Sequence, residues 1–151
     1  MTSVPAHTDT PREVFERSQQ LLLQPQLDAE AIADQFAPEG VFEAPFAPPG
    51  LPRRVEGRDA IRALYRQAGI AAVRPRFEFR SVVVHETADP EVIVTEFDVH
   101  ARHPKTGESY QFANLQVMTV RDGKILLLRD YWNPLDRPEL RVLLESTGQP
   151  A

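Results

Sequence analysis

At 151 residues, with 42% hydrophobic and 26% charged side chains, the chain has the size and composition of one globular domain with a core of its own, and neither a disordered nor a fibrous class fits it. A formal charge of −5 at pH 7 leaves no basic surface of the size a nucleic-acid partner requires, and the absence of cysteine removes disulfides, thiolate ligands and thiol nucleophiles. The N-terminus lacks a charged segment followed by an apolar core, and no run reaches membrane-spanning length, so a cytoplasmic protein with no membrane partner is the expectation.

Residues 1–9 read as a flexible polar tail, residues 10–147 as a single domain and residues 148–151 as a second tail. "TPRE" supplies Thr10 as N-cap, Pro11 at the first helical position and Glu13 to complete a capping box, which predicts a helix to about Leu23. Asp28 caps a second helix, "DAEAIADQF", whose apolar residues recur at helical spacing and which must end before Pro38. "GVFEAPF" reads as a short strand and "APPGLPRRVEG" as a proline-rich loop unfit for a central strand. A third helix, "RDAIRALYRQA", is predicted to stop at Gly69.

From Pro75 to Trp132 the chain has strand character, broken at "ETADPE", "HPKTGE" and "RDGK", which predicts an antiparallel meander of four strands. "NPLDRPELRVLLES" reads as a short terminal helix capped by Asn133 or Asp136. Helices first and strands afterwards imply an α+β domain with helices on one side of a curved sheet.

Two strands carry polar chemistry. In "KILLLRDYW" alternation places Leu126, Leu128, Asp130 and Trp132 on one face, so a carboxylate shares a surface with large apolar side chains. In "VIVTEFDVHAR" it separates Ile93, Thr95, Phe97, Val99 and Ala101 from Val94, Glu96, Asp98, His100 and Arg102. The second set is either the wet side of the sheet or a pocket wall that brings Glu96, Asp98 and His100 to Asp130, where crowded like charges would raise at least one carboxyl pKa. If the second set faces a pocket, Ile93, Thr95, Phe97 and Val99 face outward and suit a homodimer packed through the sheet. Strand residues two apart stand about 6.5 Å from each other, so they converge poorly on one ion and no metal is expected. Neither Gly-x-Ser-x-Gly nor a phosphate-binding glycine loop occurs.

The order of elements, with "FAPEGVFEAPF", "VEGRDAIRALY", "TEFDVHA", "SYQFANLQVMTVRDGKI" and "RDYWNPL", resembles the SnoaL-like group of the nuclear-transport-factor-2-like fold over roughly residues 10–147. The resemblance implies a curved, mostly antiparallel sheet wrapped on three N-terminal helices around a cone-shaped pocket. It also implies a chemistry centred on Asp130, which is similar in position to the acid/base Asp of polyketide cyclases, to the water-activating Asp of limonene-epoxide-hydrolase-like enzymes and to the catalytic Glu of phenazine-biosynthesis PhzA/PhzB-type proteins. Tyr110 falls where the phenazine group carries a pocket tyrosine, and Leu64 stands in place of its histidine on the third helix. Against the epoxide hydrolases, Asp98 and Asp130 match two acidic positions while Glu96 replaces an arginine, and Phe42 and Ala44 replace a tyrosine and an asparagine. Against the ketosteroid isomerases, Ala44 replaces the base.

The resulting reading is a cofactor-independent enzyme on a small apolar metabolite, an isomerase, cyclase, dehydratase or hydrolase, of the kind natural-product biosynthesis uses. Asp130 would be the general acid/base, Asp98 and His100 its electrostatic partners and Tyr110 a donor to substrate oxygen. Phe15, Phe42, Leu64, Phe77, Phe79, Glu96, Leu128 and Trp132 would line the pocket. Two alternatives stand beside it. One is a non-catalytic ligand-binding or assembly module, and the other is a structural Asp130 satisfied by Arg102 or Arg129.

Overall fold

The structure, a computed structural model, describes residues 3–71 and 75–136. Helix α1 (Pro11–Leu22) starts at the expected box: Thr10 Oγ1 accepts from the Glu13 N–H, and the Glu13 carboxylate accepts from the Thr10 N–H, each at 3.2 Å. In α2 (Ala29–Asp34) Asp28 Oδ1 accepts from the Ala31 N–H at 3.0 Å. This helix ends earlier than its apolar spacing suggests, because Phe36 already opens strand β1 (Phe36–Glu43). Helix α3 (Arg58–Ala71) runs through Gly69, which does not adopt the left-handed geometry of a terminating glycine.

The remaining strands are β2 (Arg54–Glu56), β3 (Arg76–Glu86), β4 (Val92–Arg102), β5 (Ser109–Arg121) and β6 (Lys124–Trp132). They form one curved, unclosed sheet in the order β2-β1-β6-β5-β4-β3, antiparallel except between β1 and β6. The meander breaks where the turn residues predict. The tightest turn has Asp122 at φ 51° and Gly123 at φ 75°, both in the left-handed region that a two-residue hairpin needs. The proline-rich loop contributes only its tail, β2, and only at the sheet edge. Pro38 fits inside β1 because the ladder to β6 slips there, from Phe36 opposite Ile125 to Val41 opposite Leu127. Gly40 lies in the same irregularity, where a Cβ would stand 2.9 Å from the carbonyl oxygens of Ala37 and Ile125.

The helices pack on one side of the sheet, and the residues of β4 show which side. Ile93, Thr95, Phe97, Val99 and Ala101 are all buried, with the Phe97 ring 5.9 Å from Phe15 of α1 and 5.3 Å from Phe79. This reverses the expected orientation: Glu96, Asp98 and His100 stand on the outer face, and Glu96 there meets His85 at 2.7 Å. Burying each large apolar side chain is worth about 1.5–3 kcal/mol, whereas the opposite orientation would desolvate two carboxylates and wet three such side chains. The apolar interface expected from Ile93, Thr95, Phe97 and Val99 is therefore core, not surface.

Pro134–Asp136 form a single 3₁₀ turn in which Asn133 Oδ1 accepts from the Leu135 N–H at 3.0 Å. The predicted terminal helix from residue 137 onward and the C-terminal tail lie outside the described residues. Among the described residues no helix is long and apolar enough to cross a membrane.

Candidate active site on the last strand

Directly opposed residues of neighbouring strands share a face, so the inner face of β4 carries across the sheet. Ile93, Met118 and Leu128 form one row, Thr95, Gln116 and Asp130 the next, and Phe97, Asn114 and Trp132 a third. Asp130 thus lies on the inner face between Leu128 and Trp132, and Phe42, opposite Leu128, joins them from β1. The ladder slips between Thr119 and Val120, which leaves Leu126 without an opposed residue and turns Ile125, expected on the other face, into the core at 1% exposure.

Asp130 is half-buried and held by two amides from β5. Asn114 Nδ2 donates to its Oδ1 at 2.6 Å, and Gln116 Nε2 donates to the same oxygen at 3.3 Å. Asn114 is itself buried. From α3 comes Tyr65, whose ring meets Phe42 edge-on at 6.5 Å. The residue as a whole is half-buried, but desolvation of the hydroxyl raises its pKa far above the ordinary tyrosine value, and the negative charge of Asp130 adds to the shift. The phenol keeps its proton and can donate it in a hydrogen bond at any pH near neutrality. A carboxylate and two amides therefore meet on the inner face, with the phenol close enough to feel the carboxylate's charge.

The two arginines named above for a structural Asp130, Arg102 and Arg129, make their described contacts elsewhere. On the outer face Arg129 Nε donates to Glu43 Oε2 at 3.0 Å and the guanidinium lies 5.4 Å from the centre of the Tyr131 ring, while Arg102 Nε donates to the Gly107 carbonyl at 3.2 Å.

The other predicted residues divide. Phe77 and Phe79 are on the inner face of β3, opposite Ala101 and Val99. Phe15 is core at 1% exposure, so it shapes the interior without offering a surface to a ligand. Leu64 is half-buried, one residue before Tyr65. Tyr110 is on the inner face and stacks on Phe112 at 6.4 Å, but it lies six residues along β5 from Gln116, a contour of about 20 Å, so it does not join Asp130. Glu96, Asp98 and His100, assigned to the pocket, occupy the outer face. His100, with Arg76, Arg80 and Arg102 of the same face and Phe77 and Tyr110 of the inner one, borders an open groove of ≈ 570 Å³ that takes in both faces at the end of β3, β4 and β5.

Tyr65, Asn114 and Gln116 are the residues that sequence reasoning missed. The signal for the amides was alternation: in "FANLQVM" they interleave with Phe112 and Met118 on one parity. Among the described residues one set of possible metal ligands comes together, His7, Asp9 and Glu13, with ligand atoms within 4.8 Å. It lies at the positive end of α1, where Glu13 closes the capping box and Arg17, 2.6 Å from Asp9, holds that carboxyl below its ordinary range.

Three helices on one side of a curved, mostly antiparallel sheet, with a carboxylate on the inner face of the last strand, define a nuclear-transport-factor-2-like α+β fold. The SnoaL-like domain profile matches residues 24–128, and the chain belongs to that family. An uncharacterised PhzA/B-like protein of Pseudomonas aeruginosa is 39% identical over 122 residues, covering 81% of this chain and 84% of its own. Among solved structures, a presumptive isomerase from Bacillus subtilis superposes with a TM-score of 0.73 at 29% identity, over 87% of this chain and 91% of that one. The phenazine biosynthesis-related protein PhzB2 of Pseudomonas aeruginosa superposes with a TM-score of 0.66 at 20% identity, over 93% and 86%.

Proposed function

We propose that this protein is a cofactor-independent acid/base enzyme, of isomerase or cyclase type, acting on a small and largely apolar oxygenated metabolite. One observation carries the reading: Asp130 stands on the apolar inner face with two amide donors on one of its oxygens and the un-ionised Tyr65 phenol within its electrostatic reach. In such a site the carboxylate removes a proton from substrate carbon or hydroxyl and returns it at a second position, so that no external reductant or oxidant is required. The Tyr65 O–H donates a hydrogen bond to the oxygen on which negative charge develops meanwhile. Asn114 and Gln116 fix the carboxylate orientation, and Phe42, Leu128 and Trp132 receive the apolar body of the substrate.

Asp130→Asn tests the assignment, because it keeps the shape and removes the exchangeable proton. Turnover of a bound metabolite should fall by about 10²- to 10⁴-fold with affinity held within a few-fold. Undiminished turnover removes Asp130 from the mechanism, and a ligand bound but never converted by the wild type makes the protein a binding module.

The same reading includes a homodimer through the outer face of the sheet. Val94, Leu115, Val117, Leu127 and Tyr131 lie together there, with Phe46, 60% exposed, edge-on to Tyr131 at 5.3 Å. Such an apolar cluster, on a sheet whose described helices pack on the other side, suits a second copy related by a two-fold axis.

A further inference from the structure

Thr95 is 0% exposed, and its Oγ1 has no hydrogen-bond partner among the described residues. A buried hydroxyl left unsatisfied costs about 1–3 kcal/mol, and a valine of the same shape would avoid that cost. Its place in the sheet supplies a reason for it. Thr95 is directly opposite Gln116, and Gln116 is directly opposite Asp130. Opposed side chains on one face of an antiparallel pair have Cβ atoms about 4.5–5.5 Å apart, so the longer Gln116 side chain reaches toward either neighbour.

The two amides on Asp130 are not equivalent. Asn114 donates at 2.6 Å, the length of a charge-assisted bond, whereas Gln116 donates at 3.3 Å to the same oxygen and is the member that a small rotation redirects. When Asp130 takes up a proton the carboxyl becomes a poorer acceptor for two donors at once, and Thr95 Oγ1, on the residue opposite Gln116, offers an unused acceptor. Among the described residues, the groups shown to face Asp130 include Tyr65 from α3 and Asn114 and Gln116 from β5. On its own strand Arg129 points to the outer face, where Glu43 of β1 holds it.

We propose that Thr95 is a positioning residue for Asp130, acting through Gln116: its hydroxyl accepts the Gln116 amide when Asp130 is protonated and releases it when Asp130 is ionised. The proposal rests on the acid/base reading of Asp130. It makes the row Thr95, Gln116, Asp130 a two-position relay in which the amide follows the catalytic proton, so that neither protonation state leaves the Gln116 amide without an acceptor.

The test is a carbon-detected NMR titration of the Asp130 carboxyl, assigned by loss of its signal in Asp130→Asn. It is run on the wild type, Thr95→Val, Thr95→Ser, Gln116→Leu and the Thr95→Val, Gln116→Leu double variant. Thr95→Val removes the alternative acceptor, disfavours the protonated state and should lower the titration midpoint by about half a unit to one unit, with Thr95→Ser restoring it. In the Gln116→Leu background the same substitution should leave the midpoint unmoved, which a merely structural threonine would not produce. A midpoint shared by the wild type and Thr95→Val overturns the proposal and leaves the proposed function standing. An Asp130 that does not change protonation between pH 3 and about 9 overturns the acid/base reading and the relay with it.

Discussion

Phe97→Ala probes the orientation of β4, on which the whole site depends. Phe97 is 6% exposed and its ring contacts Phe15 at 5.9 Å and Phe79 at 5.3 Å, so truncation removes two aromatic contacts as well as the buried ring. Core Phe→Ala changes cost about 3–5 kcal/mol, and a site wedged between α1 and β3 has little room to collapse, which puts the expected loss at about 4 kcal/mol. For a chain of this length that corresponds to a fall in Tm of roughly 8–16 °C, or to about 2 M in the urea midpoint for a slope near 2 kcal/mol/M. Equilibrium urea unfolding followed by tryptophan fluorescence reads the change, and an unaltered slope shows that the transition is the same. Asp98→Ala and His100→Ala, on the outer face, should stay within about 0.5 kcal/mol of the wild type. A Phe97→Ala loss below about 1 kcal/mol, with a larger one at Asp98 or His100, would refute the orientation derived above.

Tyr65→Phe should reduce turnover by about 10- to 100-fold while changing affinity little, measured by paired kinetics and calorimetry. Because the folded pKa of Tyr65 is raised above the unfolded value, the folded state binds more protons above about pH 10, so wild-type stability falls as pH rises there. That decline should be shallower in Tyr65→Phe, and identical slopes would contradict the desolvated phenol. Val117→Lys on the outer face should give a monomer by light scattering at micromolar concentration, and a wild type already monomeric would exclude the sheet-face dimer. Thr10→Ala removes the cap of α1 and should cost about 1 kcal/mol in thermal unfolding.

What the sequence made legible was local. Thr10, Glu13 and Asp28 announce helix starts through groups a few residues away, and Asp122-Gly123 announces a hairpin through backbone geometry alone. The inner placement of Asp130 was legible too, since Leu128 and Trp132 share its parity and must be buried. The orientation of β4 was not, because grouping acidic residues into a presumed pocket weighed against the burial of Phe97, and only the helices packed on the sheet settle that contest. Tyr65 was hidden by its surroundings: a tyrosine on the apolar side of an amphipathic helix reads as core until a carboxylate from a strand 65 positions later is set beside it. Gly69 misled for a similar reason, since a glycine near a helix end signals termination only if it turns left-handed.

The parallel pairing of β1 with β6 bears on how the protein comes to fold. Glu43 and Arg129, bonded across that ladder, are 86 positions apart, so the strand carrying Asp130 is anchored on one side by a hairpin neighbour and on the other by a segment made long before it. Closing so long a loop is entropically costly and slow compared with forming the β5–β6 hairpin. Amide protons of β1 and of β6 along their shared ladder should then exchange together, only through global unfolding, and acquire protection late in refolding. During synthesis the apolar sides of α1, α2 and β1 wait through the making of β2 to β5 before β6 arrives to complete the sheet between β1 and β5.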